Sequence, residues 1–291
     1  MQQRDVEFKV EYGPILRGWL KTPEGPGPHP LIVMAHGNGG HKEWTIPWVA
    51  ERFVEAGYAA LAFDYRNFGD SDGEPREEVD HAGRIDDWRT AVTFGLTLAE
   101  VDPARIAIWG TSLGGRDVLI VAALDRRIRA VVAQVPAIDW RDTVLHHQNN
   151  VREREALQKI WDADRLARFK GETPAYTQFQ TVPGTELAAF FDTLTADEKK
   201  NWKQRLTYRS YEPSVASNAL PFVHMISPTP LLMVLVDSDI VTPTQGQLEA
   251  YEKALEPKSF VLYPGRHYDV YGPLKEKATQ NAIDWFDKHV K

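Results

Sequence analysis

The chain has 291 residues, of which 43% are hydrophobic and 26% charged, and its formal net charge is −7. This length allows one large α/β domain, or a core domain with an insertion, and the composition excludes a disordered chain. The acidic balance also excludes a nucleic-acid surface, which needs a concentrated basic face. We therefore expect a small molecule, and not a nucleic acid, as the partner.

Cysteine usage and the apolar runs bear on the compartment. The chain has no cysteine, which rules out disulfides, thiolate metal sites and a cysteine nucleophile. Its first residues, MQQRDVEFKV, lack the apolar core of a secretory signal. Apolar runs such as PLLMVLV fall far short of the roughly 20 residues needed to cross a bilayer. The sequence thus predicts a cytoplasmic protein without membrane contact, and it leaves open whether the chain forms a homodimer.

The first half of the chain alternates between strand and helix patterns. Residues 6–12 and 15–21 flank Gly-Pro and predict a hairpin. Residues 80–99 place apolar side chains on one face of a predicted helix. Continuous apolar runs, typical of parallel strands buried on both faces, occur at residues 31–36, 59–64, 105–110 and 129–135. The pattern predicts a doubly wound, mostly parallel α/β sheet whose ligand lies beyond the carboxyl ends of its strands.

The alternation stops between residues 137 and 226. This stretch contains charged, helix-like pieces such as REREALQKIWDADRLARF and TADEKKNWKQRL. We interpret residues 137–226 as a helical cap inserted into a core that comprises residues 1–136 and 227–291. The α/β pattern then resumes, with predicted strands at residues 230–237 and 259–263 and predicted helices at residues 244–255 and 274–289.

A glycine-rich turn surrounds one serine in the first half of the chain. In AIWGTSLGGRDV, residues 107–118, a predicted buried strand passes directly into a predicted helix with Ser112 at the turn. This context is that of a nucleophile elbow, in which Gly110 and Gly114 leave room for the bend and Gly115 lets the helix pack closely. The alternative is a turn that holds a phosphate at the helix N-terminus, which the absence of a G-x-G-x-x-G fingerprint disfavours.

A serine nucleophile needs an imidazole base and a carboxylate that orients the imidazole. In α/β-hydrolases the acid and then the histidine follow the serine along the chain, in loops after later strands. His267, in YPGRHYDVYG, has this position. The acid should lie in VDSDIVTP, where Asp237 and Asp239 are both candidates. We favour Asp239, because Asp237 sits on the strand end whereas Asp239 lies in the loop.

The developing oxyanion needs two preorganised N–H donors. Leu113 follows the candidate nucleophile and should supply one of them. The other should come from the glycine-rich loop HGNGGHKEW, through the N–H of Asn38. The cap histidines His146, His147 and His224 are not expected to bind a metal, because adjacent histidines do not share a helix face. No cofactor is expected either.

The segments AHGNGG, AFDYRNFGDSDGEP, GTSLGG, DSDIVTP and GRHYD together resemble the α/β-hydrolase superfamily over essentially the whole chain. The chain looks closest to capped serine hydrolases of the dienelactone-hydrolase and Xaa-Pro-peptidase-like type, and to fungal polyketide transferases. The resemblance implies that Ser112, Asp239 and His267 form a catalytic triad. It also implies that Asn38 and Leu113 supply the oxyanion donors.

The segment RNFG, residues 66–69, departs from this resemblance, since related families often have Arg-Gly-x-Gly there. The departure leaves the predicted triad untouched. Haloalkane dehalogenases and epoxide hydrolases share the fold but carry aspartate where Ser112 stands, so we disfavour both functions.

Three functions are compatible with these residues. The leading hypothesis is a serine hydrolase of an ester, thioester or lactone, in which His267 deprotonates Ser112 and water resolves an acyl-enzyme. An alternative passes the acyl group to an alcohol or amine, or cleaves a carbon–carbon bond. A noncatalytic ligand-binding protein is disfavoured because the constellation is complete.

Aromatic side chains of the cap are candidates for an apolar substrate pocket. We expect about a third of them to face a hydrophobic acyl group and the rest to form the interior of the cap. These residues are Trp140, Trp161, Phe169, Tyr176, Phe179, Phe190, Phe191, Trp202, Tyr208 and Tyr211.

Overall fold

An eight-stranded sheet forms the centre of the protein in the computed structural model, which describes residues 1–146, 150–178, 185–200 and 202–291. The strands in chain order are β1 (Gln2–Lys9), β2 (Ile15–Thr22), β3 (His29–Ala35), β4 (Ala59–Phe63), β5 (Val101–Thr111), β6 (Ile128–Gln134), β7 (Tyr176–Gln178), β8 (Arg205–Thr207), β9 (Leu231–Val236) and β10 (Lys258–Tyr263). Their order across the sheet is β1-β2-β4-β3-β5-β6-β9-β10, and β7 and β8 pair separately. Within the eight-stranded sheet, β1 pairs antiparallel with β2 and β2 with β4, and the other neighbouring strands are parallel, so the predicted mostly parallel sheet is confirmed.

Helices cover both faces of the sheet. The helices of the described residues are α1 (Ile46–Glu55), α2 (His81–Gly95), α3 (Leu113–Leu124), α4 (Trp140–His146), α5 (Val151–Phe169), α6 (Glu186–Thr193), α7 (Ala196–Lys199), α8 (Thr244–Lys253) and α9 (Lys275–His289). On one face, Phe53 of α1 and Phe286 of α9 pack around Trp109 of β5. On the other face, α2, α3 and α8 bury their apolar side chains against the sheet. The doubly wound α/β fold is therefore confirmed. None of these helices is long and apolar enough to cross a membrane.

Several strands and helices differ in length from the sequence prediction. β1 begins at Gln2 rather than at residue 6, because its exposed polar residues still pair with β2 although no apolar alternation marks them. β5 begins at Val101 rather than at residue 105, and Val101 pairs with His29. The helix predicted at residues 80–99 is α2, which ends at Gly95.

Residues 137–226 leave the sheet between β6 and β9. Among the described residues of the piece TADEKKNWKQRL, which the sequence predicts to be helical, α7 is the helical part. Leu206 is fully buried and belongs to β8, which pairs with β7. Trp140, Leu206 and Val223 join the same apolar cluster as the sheet. The ends of the stretch thus pack into the core, and the division of the chain into core and cap stays a prediction.

Gly110 and Gly246 provide a matched test of the close packing in this fold. A Cβ atom at Gly110 would collide with the backbone of Gly114, whereas one at Gly246, inside α8, would meet no atom within 4 Å. We expect Gly110→Ala to lower the free energy of unfolding by about 1–3 kcal/mol, as overpacking does. Gly246→Ala should raise it by about 0.5–1 kcal/mol, because alanine loses less conformational entropy than glycine when it enters a helix. Urea denaturation measures both, and equal effects would contradict this account of the packing.

Candidate active site

Ser112 occupies the tight turn between the end of β5 and the start of α3. Its backbone has φ 55° and ψ −121°, and a positive φ is uncommon for residues other than glycine. The Ser112 N–H donates to the Gln134 carbonyl at 2.9 Å, and the Ser112 carbonyl accepts from the Ala137 N–H at 3.0 Å. These hydrogen bonds hold the strained turn in place, as the surroundings of a strained functional residue must do.

Glycines around Ser112 leave the space that the turn requires. A Cβ atom at Gly114 would lie 2.6 Å from the carbonyl oxygen of His36, and one at Gly37 would lie 2.9 Å from Cβ of Ser112. Neither Gly110 nor Gly114 has a positive φ, so the turn needs their small size and not their backbone freedom. The loop after β3, the end of β5 and the start of α3 are therefore in direct contact around the serine.

His267 lies between Ser112 and Asp239. Oγ of Ser112 is 3.2 Å from Nε2 of His267, and Nδ1 of His267 is 2.8 Å from Oδ2 of Asp239. His267 is buried at the start of a short 3₁₀ helix after β10, and Asp239 is buried in the loop after β9. The structure thus brings the three predicted triad residues within hydrogen-bond distance in the order that serine activation requires.

Neighbouring donors fix the Asp239 carboxylate. Its Oδ1 accepts hydrogen bonds from the N–H groups of Val241 at 2.9 Å and Thr242 at 2.8 Å, and its Oδ2 accepts from the Thr242 hydroxyl at 2.8 Å. Burial alone would raise the pKa of this carboxyl, but His267 and the Thr242 hydrogen bonds outweigh burial and hold the pKa of Asp239 below its usual range. The group is therefore a carboxylate at neutral pH and can stabilise an imidazolium.

Asp237, the other candidate acid, has a different environment. It is exposed, and its carboxylate accepts hydrogen bonds from the Ser238 hydroxyl at 2.8 Å and the Gly265 N–H at 3.2 Å. These hydrogen bonds lower the pKa of Asp237 and connect the loops after β9 and β10. Among the described residues, Asp239 and not Asp237 is hydrogen bonded to His267.

The predicted oxyanion donors lie beside Ser112. Leu113 is the first residue of α3, so its N–H has no partner within the helix. Asn38 lines the same cavity as Ser112. Nδ1 of His36 is 2.9 Å from the Gly37 carbonyl oxygen, and the N–H of Asn38 points away from that oxygen because the peptide is trans. The role of Leu113 and Asn38 as donors stays a prediction.

A buried charged cluster beneath the turn was missed by the sequence analysis. Arg84 donates from Nε to Oδ2 of Asp117 at 2.7 Å and from Nη2 to the His36 carbonyl at 3.3 Å. Arg116 donates from Nε to Oδ1 of Asp117 at 3.0 Å, and its Nη1 is 2.7 Å from Nδ1 of His81. A charged pair inside the otherwise apolar helix segment LGGRDVLIVAAL was the signal available in the sequence.

Asn67 accounts for the departure of RNFG from Arg-Gly-x-Gly. Its φ is 72°, a region that favours glycine but that asparagine tolerates better than most residues. Its side-chain Nδ2 donates to the Glu78 carbonyl at 3.1 Å. Asn67 therefore meets the backbone requirement that a glycine would meet at this position.

A cavity of about 790 Å³ opens over Ser112 and His267. The aromatic residues predicted for the pocket that line it are Trp140, Phe190, Tyr208 and Tyr211. Those that do not line it are Trp161, Phe169, Tyr176, Phe191 and Trp202, and Phe179 lies outside the described residues. The cavity wall is largely apolar, and it includes the serine and the histidine.

No cluster of three histidine, aspartate or glutamate side chains that could hold a metal occurs in the part of the chain that the structure describes. Of the histidines considered for a metal, His147 and the side chain of His146 lie outside that part. The expectation that the chain uses neither metal nor cofactor stays a prediction.

The sheet, the strained serine turn and the order of serine, acid and histidine define the class of protein. Residues 30–272 match the family model of the alpha/beta hydrolase fold, so the chain belongs to the α/β-hydrolase family. The chain is an enzyme of this class, as the sequence predicted.

Similarity to other proteins supports this assignment. The chain is 50% identical over 274 residues to the quorum-quenching protein AidA of Acinetobacter baumannii, which covers 90% of this chain and 87% of that protein. It is 33% identical to the thiohydrolase aneE of Aspergillus aculeatus, covering 96% and 90% of the two chains. The crystal structure of the α/β-hydrolase GrgF from Penicillium sp. sh18 is similar with a TM-score of 0.85 and 32% identity, covering 100% and 99%. GrgF is named a polyketide transferase, so the predicted resemblance to that group is confirmed.

The two aspartates after β9 offer a direct test of the triad. Replacing a triad carboxylate by its amide keeps the shape but permits the wrong imidazole tautomer, which costs roughly 10⁴-fold in kcat in a serine protease. We expect Asp239→Asn to show a loss of this order in ester hydrolysis. Asp237→Asn should change kcat less than about tenfold, because Asp237 is hydrogen bonded to Ser238 and Gly265 and not to His267. Steady-state kinetics of both variants measure these effects. A large loss of kcat in Asp237→Asn together with nearly normal activity of Asp239→Asn would overturn the assignment of the acid.

Proposed function

We propose that this protein is a serine hydrolase that cleaves an ester, thioester or lactone of a hydrophobic small molecule. The observation that carries the proposal is the alignment of Ser112, His267 and Asp239 at 3.2 and 2.8 Å, with Ser112 and His267 in the wall of a largely apolar cavity. Names of relatives support the chemistry, since aneE is named a thiohydrolase. The nucleophile, the base and the acid that this reaction needs all come from the chain itself, and water is the second substrate.

In the proposed reaction, Nε2 of His267 accepts the proton of the Ser112 hydroxyl while Oγ attacks the carbonyl carbon of the substrate. The carbonyl oxygen takes up the negative charge, and the N–H groups of Asn38 and Leu113 stabilise it. The tetrahedral intermediate collapses to an acyl-enzyme and expels an alkoxide or thiolate, which takes the proton from His267. Water then attacks the acyl-enzyme in the same way and releases the free acid.

Transfer of the acyl group to an alcohol or amine is a second candidate function. GrgF, which is similar over the whole chain, is named a polyketide transferase. A cavity of about 790 Å³ has room for an acyl group and an acceptor at the same time. Mass spectrometry of the products distinguishes the two outcomes: with an added alcohol, a transferase yields the new ester whereas a hydrolase yields the free acid.

Removal of the Ser112 hydroxyl tests the proposed nucleophile. We expect Ser112→Ala to lower kcat/KM for p-nitrophenyl hexanoate by at least about 10³-fold, because no acyl-enzyme can form. Circular dichroism should show an unchanged fold, since only one small side chain is lost. Ser238→Ala, in the exposed loop before Asp239, is the matched control and should keep wild-type activity. Full activity of Ser112→Ala would remove this serine from the mechanism.

A series of p-nitrophenyl esters tests the apolar character of the substrate. Each methylene group that enters an apolar pocket contributes at most about 0.8 kcal/mol, or roughly fourfold in kcat/KM. We expect kcat/KM to rise from the acetate to the hexanoate ester. A decline along the series would show that the cavity in front of Ser112 does not receive the acyl chain.

Some expectations from the sequence stay predictions. They are the cytoplasmic location, the absence of nucleic-acid and membrane partners, and the open question of a homodimer. The first proposed assay of function, ester hydrolysis by the purified chain, does not depend on any of them.

A further inference from the structure

Arg84, Arg116 and Asp117 form a buried cluster that contains one more positive than negative charge. Arg84 is 1% exposed and the other two side chains are fully buried. Arg84 and Arg116 donate to different oxygens of the one Asp117 carboxylate, at 2.7 and 3.0 Å. The carboxylate of Asp87 also interacts with the charge of Arg84, but its direct partner is Arg66, whose Nε donates to Oδ1 of Asp87 at 2.9 Å.

Such a cluster is unfavourable for stability. A buried charge without a counter-charge has lost its hydration and gains too little in return. Burial together with the Arg84 charge lowers the pKa of Arg116, even though Asp117 opposes this effect. In addition, Nη1 of Arg84 is buried without a hydrogen-bond partner among the described residues. One arginine would be enough to pair with Asp117 and join α2 to α3. The presence of a second buried arginine therefore needs another explanation.

The other contact of Arg84 supplies that explanation. Nη2 donates to the His36 carbonyl at 3.3 Å, and the guanidinium lies over the Tyr65 ring at 3.4 Å from its centroid, which fixes its plane. The His36 carbonyl begins the loop that carries Gly37 and Asn38. Arg84 therefore holds the first peptide of the loop that contains a predicted oxyanion donor.

Arg116 connects the cluster, through His81, to the segment that contains Ser210 and Tyr211. Nη1 of Arg116 is 2.7 Å from Nδ1 of His81, and Nε2 of His81 is 3.2 Å from the Ser210 carbonyl. Since arginine only donates, Nδ1 accepts and Nε2 carries the proton. Ser210 precedes Tyr211, which lines the cavity together with Asn38. One end of this chain of buried contacts thus lies at the loop that carries Asn38, and the other lies next to Tyr211 of the same cavity.

We propose that Arg84 is a positioning residue of the oxyanion site: it holds the His36 carbonyl so that the Asn38 N–H keeps facing the substrate carbonyl. Through Asp117, Arg116 and His81, Arg84 also connects this loop to Ser210, the residue before the cavity-lining Tyr211. Arg84 does not touch the substrate. The inference rests on the proposed acyl transfer at Ser112, and it explains why the fold retains a buried charge that does not stabilise it.

Replacement of Arg84 by methionine separates activity from stability. A displaced oxyanion donor lowers the rate of the chemical step, so kcat for p-nitrophenyl hexanoate should fall about 10- to 100-fold while KM stays within about threefold. The remaining Arg116–Asp117 pair is balanced, so the melting temperature of Arg84→Met should equal or exceed that of the wild type. Arg84→Lys keeps the charge but loses the planar fork, and it should recover part of the lost kcat.

Arg66→Met is the matched control. Arg66 is the hydrogen-bonded partner of the buried Asp87, so its removal takes away the counter-charge in direct contact with that carboxylate and should lower the melting temperature, while kcat stays within about twofold. The inference on Arg84 is overturned if Arg84→Met fails to fold, keeps the wild-type kcat, or raises KM alone. A failure of the proposed function differs from all of these, because the wild type itself would then show no hydrolysis that depends on Ser112.

Discussion

The backbone contact around Ser112 is the constraint on which the rest of the structure depends. The loop after β3 and the turn from β5 to α3 approach so closely that a Cβ atom at Gly37 or Gly114 would lie within 3 Å of the other segment. The end of β6 closes the same site, because Gln134 and Ala137 take up the backbone hydrogen bonds of Ser112. Three strands of the sheet therefore maintain the positive φ of Ser112, and they hold its side chain in a fixed position.

Two buried charged side chains near the Ser112 turn, Asp239 and Arg84, differ in how their burial is compensated. Asp239 is a buried carboxylate, but three donors from Val241 and Thr242 and the imidazole of His267 compensate its burial. Arg84 shares the one Asp117 carboxylate with Arg116, and its Nη1 has no hydrogen-bond partner among the described residues. Strain and unbalanced charge that the rest of the fold maintains are typical of functional sites.

Much of the fold and of the candidate site could be predicted from the sequence, because their signals are local. Buried parallel strands appear as continuous apolar runs, and Ser112 is marked by the glycines two positions on either side. Chain order then restricts the acid and the histidine to loops after later strands. The choice of Asp239 over Asp237 depended on where the strand ends, which is also a local property.

Other features could not be predicted, because they depend on contacts between distant segments. Arg84, Asp117 and His81 are brought together only when α2 packs on α3, and His81 meets Ser210 across 129 residues. The segment around Leu206 is charged and helix-like in sequence, yet it forms a strand because β7 is available to pair with it. The local sequence pattern indicates helix or strand propensity, but it does not show which distant strand a segment will pair with.

The central claim, that catalysis passes through an acyl group on Ser112, is tested most directly by mass spectrometry of enzyme quenched in acid during turnover of p-nitrophenyl hexanoate. The account predicts a burst of nitrophenol together with a transient hexanoyl adduct, which peptide mapping places on Ser112. A burst without any adduct, or an adduct on another residue such as His267, would contradict it.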